Sequence, residues 1–177
     1  MSDFLSAPGR FSAEILSAQC YGGLSTDLQQ GAIDYINSVR MYEATIGSKV
    51  LPVARIEWLD PIAILKALSA GAHGIICPMV NTAEDAARLV SYTRKVSGCG
   101  RRIEPDRMTF STRSVDNSKV EDELFTFAMI ETAEALENLT AIAATPGLSG
   151  LYLGPANLTL SLTGRTPSAP FNRETHE

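Results

Sequence analysis

Histidine and cysteine are scarce in this chain. The two histidines, His73 and His176, form no metal-ligand pattern. The three cysteines, Cys20, Cys77 and Cys99, are odd in number and far apart. That excludes a zinc-type Cys/His cluster and a Cys-x-x-Cys redox pair, and it predicts free thiols in a reducing, cytoplasmic setting. Positive charge is in deficit. Lys and Arg total 15 against 20 Asp and Glu, a net charge of −5, and no basic cluster exceeds a pair such as Arg101-Arg102. Nucleic acid and anionic membrane surfaces are therefore not the expected partners. No apolar run approaches the ~20 residues of a membrane span. The opening "MSDFLSAPGR" lacks a charged segment followed by an apolar one, so no signal peptide is read there.

What is present is ordinary for a folded domain with a real core: 177 residues, 45% of them hydrophobic and 20% charged. Strand-like and helix-like segments alternate. Helices are expected at 11–20, 32–47, 60–72, 81–96 and 132–145. Asp60, Pro61 and Gly71 mark the third of these as N-cap, first turn and stop. Asn81 and Glu84 suggest a capping box on the fourth. Leu136, Leu139, Ile142 and Ala143 give the fifth an apolar side. About five strands are expected, at 22–28, 50–58, 74–80, 124–131 and 150–157. "GIICPMV" is apolar on successive residues, which suits a parallel strand covered on both faces. The repeated β-α order implies parallel strands joined by right-handed crossovers. The stretch 97–123 is polar and without period, an irregular insert. After Ser161 the chain reads as a loose polar tail over 162–177. "MSDFLSAPGR" makes a poor first strand.

Ligands of parallel α/β folds bind beyond the carboxyl ends of the strands. The polar residues expected there are Asp27, Gln29, Gln30, Arg55, Glu57, Asn81, Glu131 and Asn157. Trp58 stands beside them and reads as core or rim packing. His73 precedes its strand and falls on the opposite side, where a structural role is expected. Glu131 ends an apolar strand, and a buried carboxylate is costly unless paired or metal-bound. It is either that or the exposed start of a loop. Arg55, inside "PVARIEW", needs an anion. That anion is either Glu57 or a neighbouring strand's carboxylate, or else a substrate carboxylate gripped by the guanidinium fork.

Four blocks, in order, carry a resemblance: "DLQQGAIDY", "VARIEWLDPIAILKALSAGAHGIICPMVNTAEDA", "AMIETAEALENL" and "GLYLGPANLTLSLTG". Together they resemble the HpcH/HpaI aldolase family, the metal-dependent class II pyruvate aldolases, over roughly residues 11–165. The resemblance implies a single α/β domain of the TIM (β/α)8 type. It implies cleavage of 4-hydroxy-2-oxo acids to pyruvate and an aldehyde, with Mg2+, Mn2+ or Co2+ polarising the 2-oxo group. Glu131 matches the metal-binding glutamate. Asn157 falls where the family has the second metal ligand, an aspartate. Arg55 matches the arginine on the enolate oxygen. The backbone amides of Ala156 and Asn157 match those that hold the substrate carboxylate. Gln30 falls where the family has the histidine of acid–base chemistry. Met129 stands where many members have a glutamine.

The departures have chemical consequences. Asn157 keeps an oxygen for a hard cation but loses a unit of negative charge. Gln30 can hydrogen-bond but takes up no proton near neutral pH, and general acid–base catalysis supplies about 10²–10⁴-fold. About five strands fall short of a barrel that needs about 250 residues, so the expected architecture is an incomplete barrel, truncated at both ends. Three functions follow as expectations: a weakened aldolase, a non-catalytic relative, or a carbon–carbon lyase of the citrate-lyase β type. The expected partners are a small 2-oxo acid and other chains, as a homo-oligomer or with a full-length paralogue.

Overall fold

A computed structural model describes residues 2–19, 21–94 and 124–166. Cys20, Cys99, His176, the stretch 97–123 and the tail from 167 onward lie outside the described residues. One sheet of parallel strands runs in chain order: β1 (Ser2–Leu5), β2 (Gly23–Asp27), β3 (Leu51–Arg55), β4 (Gly74–Cys77), β5 (Phe125–Ile130) and β6 (Gly150–Leu153). The described helices are α1 (Arg10–Ser17), α2 (Tyr35–Thr45), α3 (Pro61–Ala70), α4 (Ala83–Thr93), α5 (Ala133–Glu137), α6 (Leu139–Ala143) and α7 (Pro155–Thr163).

Every strand pairs with the next one in sequence, so the sheet has no switch point. That order winds in one direction only, as in a (β/α)8 barrel and unlike a doubly wound sheet. Strand alternation then sorts the side chains into two layers. Leu24, Ala54, Ile75, Cys77, Ala128 and Ile130 face the helices and are buried with Ile64, Leu68, Leu89 and Ile142. Val53, Ile76 and Met129 turn to the concave face and pack with Phe4, Phe127 and Tyr152. Among the described residues no pairing joins β6 back to β1. The fold is an incomplete barrel of the expected type.

Several local expectations are corrected. A first strand does exist: β1 pairs with β2 from Ser2↔Gly23 to Leu5↔Thr26, so backbone pairing outweighs the weak local pattern. The capping box sits one residue later than expected, on Thr82 and Asp85. Thr82 Oγ1 accepts from Asp85 N, and Asp85 Oδ2 accepts from Thr82 N. The single helix expected over 132–145 breaks at Asn138 into α5 and α6. Asn138 Nδ2 there donates to the Asn81 carbonyl at 3.0 Å. The break rotates the apolar side: Ala135 and Ile142 are buried, while Leu136 and Ala143 are exposed. Residues 155–157, read as strand, open α7 instead, and that helix carries the chain past Ser161 to Thr163.

Candidate active site

Asp27 and Arg55 are the last residues of β2 and β3, and they are register partners in the sheet. Both therefore point into the concave face at its carboxyl end. Arg55 Nε donates to Asp27 Oδ1 at 2.9 Å and Nη2 donates to Oδ2 at 2.6 Å. The anion that Arg55 needs is thus the neighbouring strand's carboxylate; Glu57 is exposed. Asp27 Oδ1 also accepts the backbone N–H groups of Gln29 and Gln30. Burial alone would raise the Asp27 carboxyl, but the Arg55 hydrogen bonds and these backbone donors outweigh it and hold it below its ordinary value. The Arg55 guanidinium lies 5.0 Å from the centre of the Phe4 ring, which meets Tyr152 edge-to-face. The pair commits two of the five N–H donors of the guanidinium. Among the described residues the other three make no hydrogen bond.

Glu131 follows β5 and is 0% exposed. The loop reading is overturned: this is a buried carboxylate, and it is held at both oxygens. Oε1 accepts from the backbone N–H of Met79 at 2.9 Å. Oε2 accepts from Asn157 Nδ2 at 2.6 Å. Met79 delivers its N–H from a left-handed backbone, φ 55°, a conformation that costs a non-glycine residue energy and is found at binding sites. Gly154 makes the close approach possible. A Cβ there would sit 2.8 Å from Glu131 Cβ and 2.5 Å from Met129 Cε.

The third component is the start of α7. Its first internal hydrogen bond runs from Leu158 N to Gly154 O. The N–H groups of Ala156 and Asn157 precede it and have no intrahelical acceptor. Such a terminus suits an anion. Arg55, Asn157 and this terminus meet at a cavity of about 210 Å3, and Glu131, bonded to Asn157, is buried beside it. It is lined by Phe4, Ser6, Asp27, Gln30, Arg55, Met129, Tyr152 and residues 153–157.

Gln30 lines its exposed rim. Other candidates do not reach it. Gln29 turns inward and its Oε1 is buried without a hydrogen-bond partner among the described residues. Trp58 is 64% exposed and is not core. Asn81 is structural, accepting from Thr132 Oγ1 at 2.6 Å. His73 is buried on the far side, its Nδ1 3.2 Å from the Gly71 carbonyl. Among the described residues no group of three or more His, Cys, Asp and Glu could hold a metal. Met79 and Gly154 were not foreseen. A left-handed Met leaves no sequence signal, and Gly154-Pro155 reads only as the end of a strand.

Residues 29–171 match the family model of HpcH/HpaI aldolase/citrate lyase. The chain belongs to that family. A hydroxypyruvate/pyruvate aldolase from Rhizorhabdus wittichii is 34% identical over 94% of this chain and 66% of its own length. A 4-hydroxy-2-oxo-heptane-1,7-dioate aldolase from Salmonella dublin is 28% identical over 90% of this chain and 62% of its own. This HpcH/HpaI chain therefore spans just under two thirds of the curated relatives it matches. A solved family member from Burkholderia cenocepacia superposes with a TM-score of 0.81 at 28% identity, over 92% of this chain and 66% of the other.

Proposed function

We propose that the chain is a carbon–carbon lyase of the pyruvate-aldolase type, acting on a small 4-hydroxy-2-oxo acid at a reduced rate. The observation that carries this reading is the convergence of Arg55, Asn157 and the first N–H groups of α7 on one cavity, with the buried Glu131 carboxylate bonded to Asn157 beside it. The substrate carboxylate lies against the N–H groups of Ala156 and Asn157. The remaining donors of Arg55 face the 2-oxo oxygen and stabilise the negative charge that grows there. In the cleavage, the 4-hydroxyl gives up its proton and the C3–C4 bond breaks. The electron pair passes to C3 as the enolate of pyruvate, which then takes up a proton, and the other half leaves as an aldehyde. Gln30 can hold the hydroxyl or a water but cannot accept the proton, so water does, at a cost of about 10²–10⁴-fold.

The residues fit a divalent cation in kind. Glu131 and the Asn157 carbonyl are hard oxygen donors, suited to Mg2+, Mn2+ or Co2+ with substrate and water oxygens completing the shell. They fit less well in charge, because Glu131 is the one carboxylate of the pair. When bound, such a cation supplies Lewis-acid polarisation of the 2-oxo group.

Pyruvate release from a 4-hydroxy-2-oxo acid, with Mn2+ or Co2+ and against a metal-free control, tests the proposal. Release is expected to be slow and to rise when Asn157→Asp and Gln30→His are combined. The bond from Asn157 to Glu131 also favours a second reading, a non-catalytic relative that binds 2-oxo acids. No release from either protein would leave that reading standing.

A further inference from the structure

We propose that Asn157 is a latch on the cation site as well as a ligand in it. This rests on the reading of Glu131 and Asn157 as the cation's protein ligands. The Glu131 carboxylate cannot move to meet an ion. It is fully buried, its Oε1 is tied to Met79 N, and its Oε2 lies against Gly154, 3.1 Å from where a Cβ would stand. Asn157 is the less buried partner, on the first turn of α7. Its amide now turns Nδ2, not Oδ1, toward Oε2. An N–H donor pointing at the carboxylate holds the place where a cation would have to be shared.

For both oxygens to face one ion, the amide must swing about its terminal torsion, a soft two-fold rotor, and exchange N–H for C=O. The hydrogen bond to the carboxylate is then lost. A charge-assisted bond of this kind is worth roughly a 10–100-fold change in equilibrium. The chain therefore resists cations twice, through the missing charge and through the bond that must open. An aspartate at 157 has no N–H to give, so it would remove both obstacles together.

The test uses the full chain, with Mn2+ titrated by electron paramagnetic resonance and Mg2+ by 15N–1H spectra of side-chain amides. The Asn157 amide is assigned by its loss in Asn157→Asp, and thermal melts check that each variant folds. Without added metal, one Asn157 amide proton should be shifted downfield by its short bond to Glu131. Saturating Mg2+ should return it to a solvent-like position. Mn2+ should bind Asn157→Asp at least 100-fold more tightly than the wild type. Asn157→Ala, which loses ligand and latch together, should stay within threefold of the wild type. A tenfold loss in Asn157→Ala, or Mg2+ binding that leaves the Asn157 amide signal in place, overturns the latch while sparing the cation site. Absence of Mn2+ binding in Asn157→Asp, with the fold intact, overturns the cation site and the latch with it.

Discussion

At the scale of single residues the site is a set of satisfied charges. Asp27 is the acceptor for Arg55 and for two loop N–H groups, so Asp27→Asn leaves a cation inside without its anion. That should cost roughly 3 kcal/mol in urea unfolding. The pH sign follows from the lowered Asp27 carboxyl. Its contribution is present above the unfolded value of about 3.9 and is lost as pH falls through the lower folded value. The stability gap between wild type and Asp27→Asn should therefore hold at neutral pH and narrow below about pH 4. Gly154→Ala should cost about 1–3 kcal/mol, because Glu131 Cβ cannot retreat from the added methyl. It should also weaken binding of 2-oxo acids in a calorimetric titration. Cys77 is buried, and burial, aided by the charges of Asp85 and Glu131, pushes its thiol up to about 12. Native protein treated with iodoacetamide at pH 8 should show no label on the Cys77 peptide.

At the scale of elements, short polar contacts tie strand ends to the helices that follow. Thr132 makes such contacts: it caps α5 by accepting from Ala135 N and donates to Asn81 Oδ1. Thr132→Ala should lower stability by about 1–2 kcal/mol, read as a shifted urea midpoint with unchanged slope. Elements with local chemistry were legible in the sequence. The third helix announced itself through Asp60, Pro61 and Gly71, and β4 through an unbroken apolar run. Elements made by tertiary contact were not. β1 is short, and its strand is defined by pairing with β2. Asn138 breaks a good helical pattern because its side chain is held by the Asn81 loop. Arg55, Glu131 and Asn157 stood out as polar residues at strand ends, but the partner of Arg55 depends on a register that no local pattern encodes.

At the scale of the molecule, Val53, Ile76, Phe127 and Tyr152 of the concave layer face a second cavity of about 370 Å3 toward the amino ends of the strands. Side chains fill this space in a closed barrel. The native chain should therefore bind the dye ANS at neutral pH while still unfolding cooperatively. A native chain that leaves ANS fluorescence unchanged would mean that this layer is covered.

The pairing of Asp27 with Arg55 has a consequence for how the chain finds its fold. Parallel strands can slide past one another, and a slip of one residue turns every side chain to the other face. Between β2 and β3 such a slip would drive either the aspartate or the arginine into the apolar layer beneath the helices, alone. Two charges that meet in one register and in no neighbouring one act as a proofreading step on strand alignment. The residue pair that shapes the site thus also disfavours the misaligned sheet.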